Sequence, residues 1–175
     1  MRETVALKRV SEENLRSSFL ATVVLSFASL AAATAPPPGA NAVVAGMYKD
    51  FGWEAKPGHA EKPGLIEQPR AVLSRYFDGT LTALILADRK CVERTKEVCR
   101  LDFSPIWDSQ DPSATKVNVL GSNDPAVVKV TFTDPESGRS TTLIYRMAKT
   151  KDGWRIHDIE YTSHESLLTI LRRDQ

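Results

Sequence analysis

"DGWRIHDIEY", residues 152–161, decides how this 175-residue chain folds. Side chains on a strand alternate between its two faces, so Trp154 and Ile156 share one face and positions 158 and 160 should continue it. The next apolar residues are instead Ile159 and Tyr161. The preceding stretch, "TTLIYRMAK" (141–149), alternates without a break and puts Leu143, Tyr145 and Met147 on one side. A tight turn at Lys151-Asp152 sets Lys149 against Trp154 and Met147 against Ile156. Unbroken register would then set Tyr145 against Asp158 and turn Ile159 and Tyr161 to water. One extra residue at His157-Asp158 repairs this, placing Ile159 opposite Tyr145 and Tyr161 opposite Leu143. The spacing therefore predicts a β-bulge that bends the sheet and re-aims two polar side chains.

Working outward, the period of two begins at Thr115. "AVVKVTFTD" (126–134) places Val128, Val130 and Phe132 on one face, "DPESGR" (134–139) is a turn, and Val130 falls opposite Leu143. Val127, Lys129, Thr131 and Arg146 occupy the other face, so one side of an antiparallel sheet is wet and the other packed. After the bulged strand, Thr162 and Glu165 in "TSHESLLTILRR" (162–173) form a capping box. Leu167, Leu168, Ile170 and Leu171 then give a short final helix an apolar face.

Upstream the period is helical. Asn41 caps a helix whose stripe is Val43, Val44, Met47, Tyr48 and Phe51, and "EAKPGHAEKPG" (54–64), which holds His59, is a loop. Pro69 opens a second helix with Val72, Leu73, Tyr76 and Phe77 inward, and Asp78-Gly79-Thr80 interrupts it. A third carries Leu81, Leu84, Ile85, Asp88 and Val92 on one face. Asp88 is either paired with an arginine such as Arg89 or Arg75, or lines a cavity. The fold class is α+β, with N-terminal helices packed on a curved antiparallel sheet and a short C-terminal helix.

The first 35 residues are set apart from this domain. "FLATVVLSFASLAAATA" (19–35) is apolar, follows Arg2, Lys8, Arg9 and Arg16, and ends in small residues, the pattern of a cleavable export signal cut after Ala33 or Ala35. A spanning helix needs about 20 apolar residues, more than this run supplies. No cysteine precedes Cys91, so a lipid-modified amino terminus and a stable membrane anchor after cleavage are not expected. Residues 36–42 are a flexible lead-in, and 43–175 form one domain in the periplasm or outside the cell. Export lets Cys91 and Cys99 pair, two free thiols being the alternative. A continuous helix through "CVERTKEVC" would hold their Cα atoms roughly 12 Å apart, beyond the roughly 7 Å a bridge spans. A bridge therefore requires the helix to end near Arg94 to Glu97.

"LDFSPIWDSQDP" (101–112) has no clean period, and its Phe103 and Trp107 read as anchors of a structured loop. The acidic residues lack the alternation and glycine of a calcium loop, so no metal is expected. Helices followed by a bent sheet with a bulged strand is the order of the nuclear transport factor 2-like fold. Within it "SPIWDSQD" (104–111), "GWRIHDIEY" (153–161) and "SLLTILR" (166–172) resemble a family of exported bacterial proteins, domain of unknown function 3828. The resemblance spans residues 43–173 and implies a helix-covered curved sheet with a pocket, and no activity. Some relatives are lipoproteins, a feature this chain lacks.

A formal net charge of +1 leaves no electrostatic footprint for a nucleic acid. No phosphate loop, nucleophile elbow or zinc pattern is present, and no cofactor is expected. The reading carried forward is a non-catalytic binding or accessory protein of the cell envelope, taking a small apolar ligand or an envelope protein. Its pocket and binding candidates are Asp88, Trp107, Asp108, Gln110, Asp111, Tyr145, Asp158 and Tyr161. Trp53 is a further rim candidate. An immunity protein that blocks a secreted toxin through residues 102–111 is one alternative. The other is an enzyme with a pocket carboxylate, in which Asp88, Asp158, Tyr145 and Tyr161 take roles like those of ketosteroid isomerase.

Overall fold

The computed structural model describes residues 38–56, 58 and 62–173. The expected export signal, most of the lead-in and His59 lie outside the described residues. Strands β1 (Thr115–Gly121), β2 (Val127–Thr133), β3 (Ser140–Thr150) and β4 (Gly153–Glu160) form one antiparallel sheet in the order β1-β2-β3-β4. Val130 faces Leu143 as the alternation requires. In the β2–β3 turn, Asp134 accepts from the N–H and the hydroxyl of Ser137 and from the Glu136 N–H, which hold its carboxyl below the usual range.

The last hairpin carries the bulge. Lys149 faces Trp154 and Met147 faces Ile156; His157 then has no partner, so Arg146 meets Asp158 and Tyr145 meets Ile159. Ile159 is fully buried as a result. One expectation fails: β4 ends at Glu160, so Tyr161 is not opposite Leu143. It stays buried because its ring packs on Phe103 and its hydroxyl donates to the Pro105 carbonyl at 3.1 Å. Along the outer edge of β4, Phe77 bridges Ile156 and the Asp78 N–H donates to the Ile156 carbonyl, covering that edge.

Helices α1 (Ala40–Phe51), α2 (Arg70–Tyr76), α3 (Gly79–Thr95) and α4 (Leu167–Arg172) pack on the apolar face of the sheet. Several local expectations are corrected. Asn41 does not cap α1; Gly39 occupies that position without a side-chain bond, and the helix starts inside the expected lead-in. Pro69 sits one residue before α2. On α3 the buried line runs from Ile85 and Asp88 to Cys91, one turn further along the same face, leaving Val92 37% exposed. The Thr162–Glu165 box is absent, since α4 starts later and Ser166 accepts from the Thr169 N–H.

Cys91 and Cys99 are bridged, their Cα atoms 6.2 Å apart. The geometry is reached as the spacing demanded: α3 stops at Thr95 and Lys96 turns the chain back in a left-handed conformation, φ 63°. Asp88, 4% exposed, binds the returning chain by accepting from the Arg100 N–H at 2.9 Å, with the Arg100 guanidinium 3.9 Å away. Neither Arg89 nor Arg75 is its partner; the first donates to the Gln68 carbonyl and the second pairs with Asp50.

Candidate functional site

The space between helices and sheet, where a pocket is expected, is filled by side chains. The Tyr48 hydroxyl donates to the Ile106 carbonyl at 2.7 Å, so the Tyr145 hydroxyl, 2.7 Å from it, donates to Tyr48. Trp107 stands edge-on to Tyr48 and Phe132 at 5.1 and 5.2 Å between centroids. Burial pushes the hydroxyls of Tyr48, Tyr145 and Tyr161 well above the ordinary phenol range. These are neutral, hydrogen-bonded core groups at neutral pH, and Trp107, only 3% exposed, packs into the same core.

The polar candidates are mostly engaged in holding helices and loops. At the bulge, His157 Nδ1 lies 2.6 Å from Asp78, which itself caps α3 by accepting from the Leu81 N–H. Asp158 turns the other way and accepts from the Leu168 N–H at 2.8 Å, capping α4 together with Ser166. The bulge thus re-aims two side chains, both to helix N-termini. Asp108, in a left-handed conformation at φ 53°, clasps His164 at 2.5 Å. Gln110 donates to Asp102, and Asp111 is exposed. The structure does not bring the eight candidates into one site.

The sequence points to Trp53, Trp107 and Gln110, but not to the two recesses that they line on either side of half-buried Trp53, nor to the lysines and Glu54 found there. One recess, of about 260 Å³, is lined by Trp53, Glu54, Lys62, Glu67, Ser104 and Gln110 among others. Glu54 is buried beneath it, accepting from the Leu65 N–H at 2.6 Å and the Ser104 hydroxyl at 2.7 Å. The other, of about 350 Å³, is lined by Tyr48, Trp53, Trp107, Lys49, Lys56 and Lys116 among others. Lys49 comes from the last turn of α1, Lys56 follows the turn Gly52–Ala55, and Lys116 comes from an irregularity of β1. There Thr115 faces Thr133 and Asn118 faces Thr131, so Lys116 and Val117 together oppose one residue, Phe132. Lys116 has φ 54°, a left-handed conformation disfavoured for a residue with a Cβ. A third recess, of about 320 Å³, lies between the start of α1 and Gly121–Val128, beside Trp154.

No family model matches the chain, and no curated protein matches it. Among solved structures, it is similar to a protein of unknown function from Bacteroides thetaiotaomicron at 16% identity. That match covers 69% of this chain and 87% of the other, with a TM-score of 0.38. It is also similar to a phospholipid-binding protein from Ralstonia solanacearum, solved with a phospholipid, at 15% identity. There the coverage is 77% and 83%, and the TM-score 0.43.

Proposed function

We propose that this chain is an exported, non-catalytic binding protein of the cell envelope, and that it captures a small molecule at a surface recess beside Trp53. The observation that carries this reading is the division of labour among its polar groups. His157, Asp158 and Asp88 are held by helix caps and chain ends, whereas Trp53 stands half-buried between two concave recesses of about 260 and 350 Å³. The larger is of the size small-ligand sites take. The reading takes the bulged sheet as the curved sheet of the nuclear transport factor 2-like fold and the chain as a relative of the domain of unknown function 3828 family. The bulge at His157 and the burial of Ile159 and Tyr161 support it. Export to the periplasm or beyond is supported by the signal-like pattern of residues 1–35. The Cys91–Cys99 bridge, of a kind that persists where thiols are oxidised, supports it too.

The test is a thermal-shift and tryptophan-fluorescence screen of the exported form against small molecules of varied charge and polarity. At least one class is expected to bind saturably and to lose that binding in Trp53→Ala. Turnover of a panel member that disappears in Asp158→Asn would replace the reading with an enzyme. An envelope protein retained only through Asp108 and Asp111 would replace it with an immunity-type interaction.

A further inference from the structure

We infer that the recess at the β1 irregularity is a site for a phosphate-bearing small molecule. Lys49, Lys56 and Lys116 hold the phosphate, and Trp53 and Tyr48 pack against the group that carries it. The inference rests on the binding reading above and names its ligand class.

The charge is the first argument. The whole chain has a formal net charge of only +1, yet three lysines from three separate elements line this recess, and no carboxylate does. Among the described residues neither Lys49 nor Lys116 has an ion-pair partner. Like charges gathered in one concavity repel, and an anion relieves that repulsion. The neighbouring recess, which holds Glu54 and Glu67 beside Lys62, has no such imbalance.

Backbone geometry is the second. A bulge re-aims side chains, and such features gather beside binding and catalytic sites. Both residues that oppose Phe132 at the bulge, Lys116 and Val117, line the recess, and Lys116 is held there in a left-handed conformation. An unfavourable conformation at a position with no packing role points to use of the side chain.

Charge selects a phosphate ester over a carboxylate: three lysines and no acidic side chain line the recess, and a carboxylate supplies a single charge. Lysines act as point charges and suit a tetrahedral anion carrying close to two charges. The indole and phenol rings offer apolar faces to a ring or chain attached to it.

Tryptophan fluorescence tests this directly, because Trp53 and Trp107 line the recess and Trp154, the third, does not. In a Trp154→Phe background, phenyl phosphate should bind saturably, more weakly as salt is raised, while phenol does not. Lys116→Gln and Lys49→Gln should each weaken binding about tenfold, the loss expected of a charge-assisted contact, with melting temperature unchanged. A soluble phosphate ester and a phospholipid headgroup share this chemistry. Sedimentation with phosphatidic acid vesicles against phosphatidylcholine vesicles separates them, and phosphate-dependent binding in either arm supports the site. Phenol binding as well as phenyl phosphate, or lysine variants that bind within twofold of the parent, overturns it. If a neutral ligand then binds in a Trp53-dependent way, the binding reading stands without the phosphate. If nothing in the screen binds, both fall.

Discussion

The sheet has an irregularity on each of its edge strands, and the two differ in what their extra residues do. On β4 the unpaired residue is His157; it and its neighbour Asp158 both reach helix N-termini, at Asp78 and at the Leu168 N–H. On β1 the two residues that share one partner, Lys116 and Val117, line an open recess, and the Lys116 ammonium has no ion-pair partner among the described residues. The first is architecture: it keeps Ile159 inside and pins two helices to the strand that bears it. The second leaves a strained cation facing water. A polar side chain at a bulge is therefore not by itself a sign of function. Whether neighbouring backbone already satisfies it decides the matter.

The strongest way to break this comparison is to insert one alanine after His157. With the bulge taking up a single residue, register would then carry Asp158 inward and Ile159 outward. Losing one buried aliphatic side chain and burying a carboxylate should remove roughly 5 kcal/mol or more, comparable to the whole stability of a small domain. Near-ultraviolet circular dichroism should lose its native signal; a retained signal would mean that the strand absorbs a second extra residue and that its register is not fixed at His157.

Alkaline titration sharpens the contrast between a dry interior and an open recess. Burial raises the hydroxyls of Tyr48, Tyr145 and Tyr161, and burial with a bond to Asp50 pushes Tyr76 up to about 12. A folded-state value above the unfolded one stabilises the fold fully below the ordinary 10.0, and that contribution is lost as pH rises through the folded value. Tyrosinate absorbance and loss of helical dichroism should therefore rise together above pH 10.0. Tyrosines that ionise while the fold persists would show that water reaches the β4 side.

Smaller effects have opposite signs at the two bulges. Asp158→Ala removes the acceptor for the Leu168 N–H and should destabilise by about 1 to 2 kcal/mol, as loss of a helix cap does. Asp158→Asn, which keeps an oxygen, should lose less. Lys116→Gly should leave stability unchanged or raise it by up to about 1 kcal/mol, since glycine adopts φ 54° without strain. Urea midpoints measure both. A loss of stability on Lys116→Gly would mean that the β1 irregularity is architectural too.

The two irregularities also differ in how well they can be read. The β4 bulge is written in the spacing of Ile156, Ile159 and Tyr161, because one face of that strand is buried and a slip would expose it. Strand β1 is exposed along almost its whole length, so a slip there changes no buried face and leaves no trace in the alternation. Caps are legible only in kind. Thr162, Ser163 and Ser166 all suit a helix start, and the reach of Asp158 across from β4 places the start at Ser166. Asp88 is likewise paired, but with Arg100, which the disulfide turn alone brings back to it.

The amino-acid sequence by itself determined the α+β class, the pairing of β2 with β3, the bulge of β4 and the helix stop that the Cys91–Cys99 bridge requires. Each follows from a rule local to a few residues: which positions share a face, how far a helix rises, what a bridge can span. Tertiary structure alone decided that the tyrosines fill the interior, that the bulge side chains serve as caps, and that Lys49, Lys56 and Lys116 meet beside Trp53. Those outcomes depend on residues far apart in the chain, and exposed lysines carry no periodic signal by which their meeting could be foreseen.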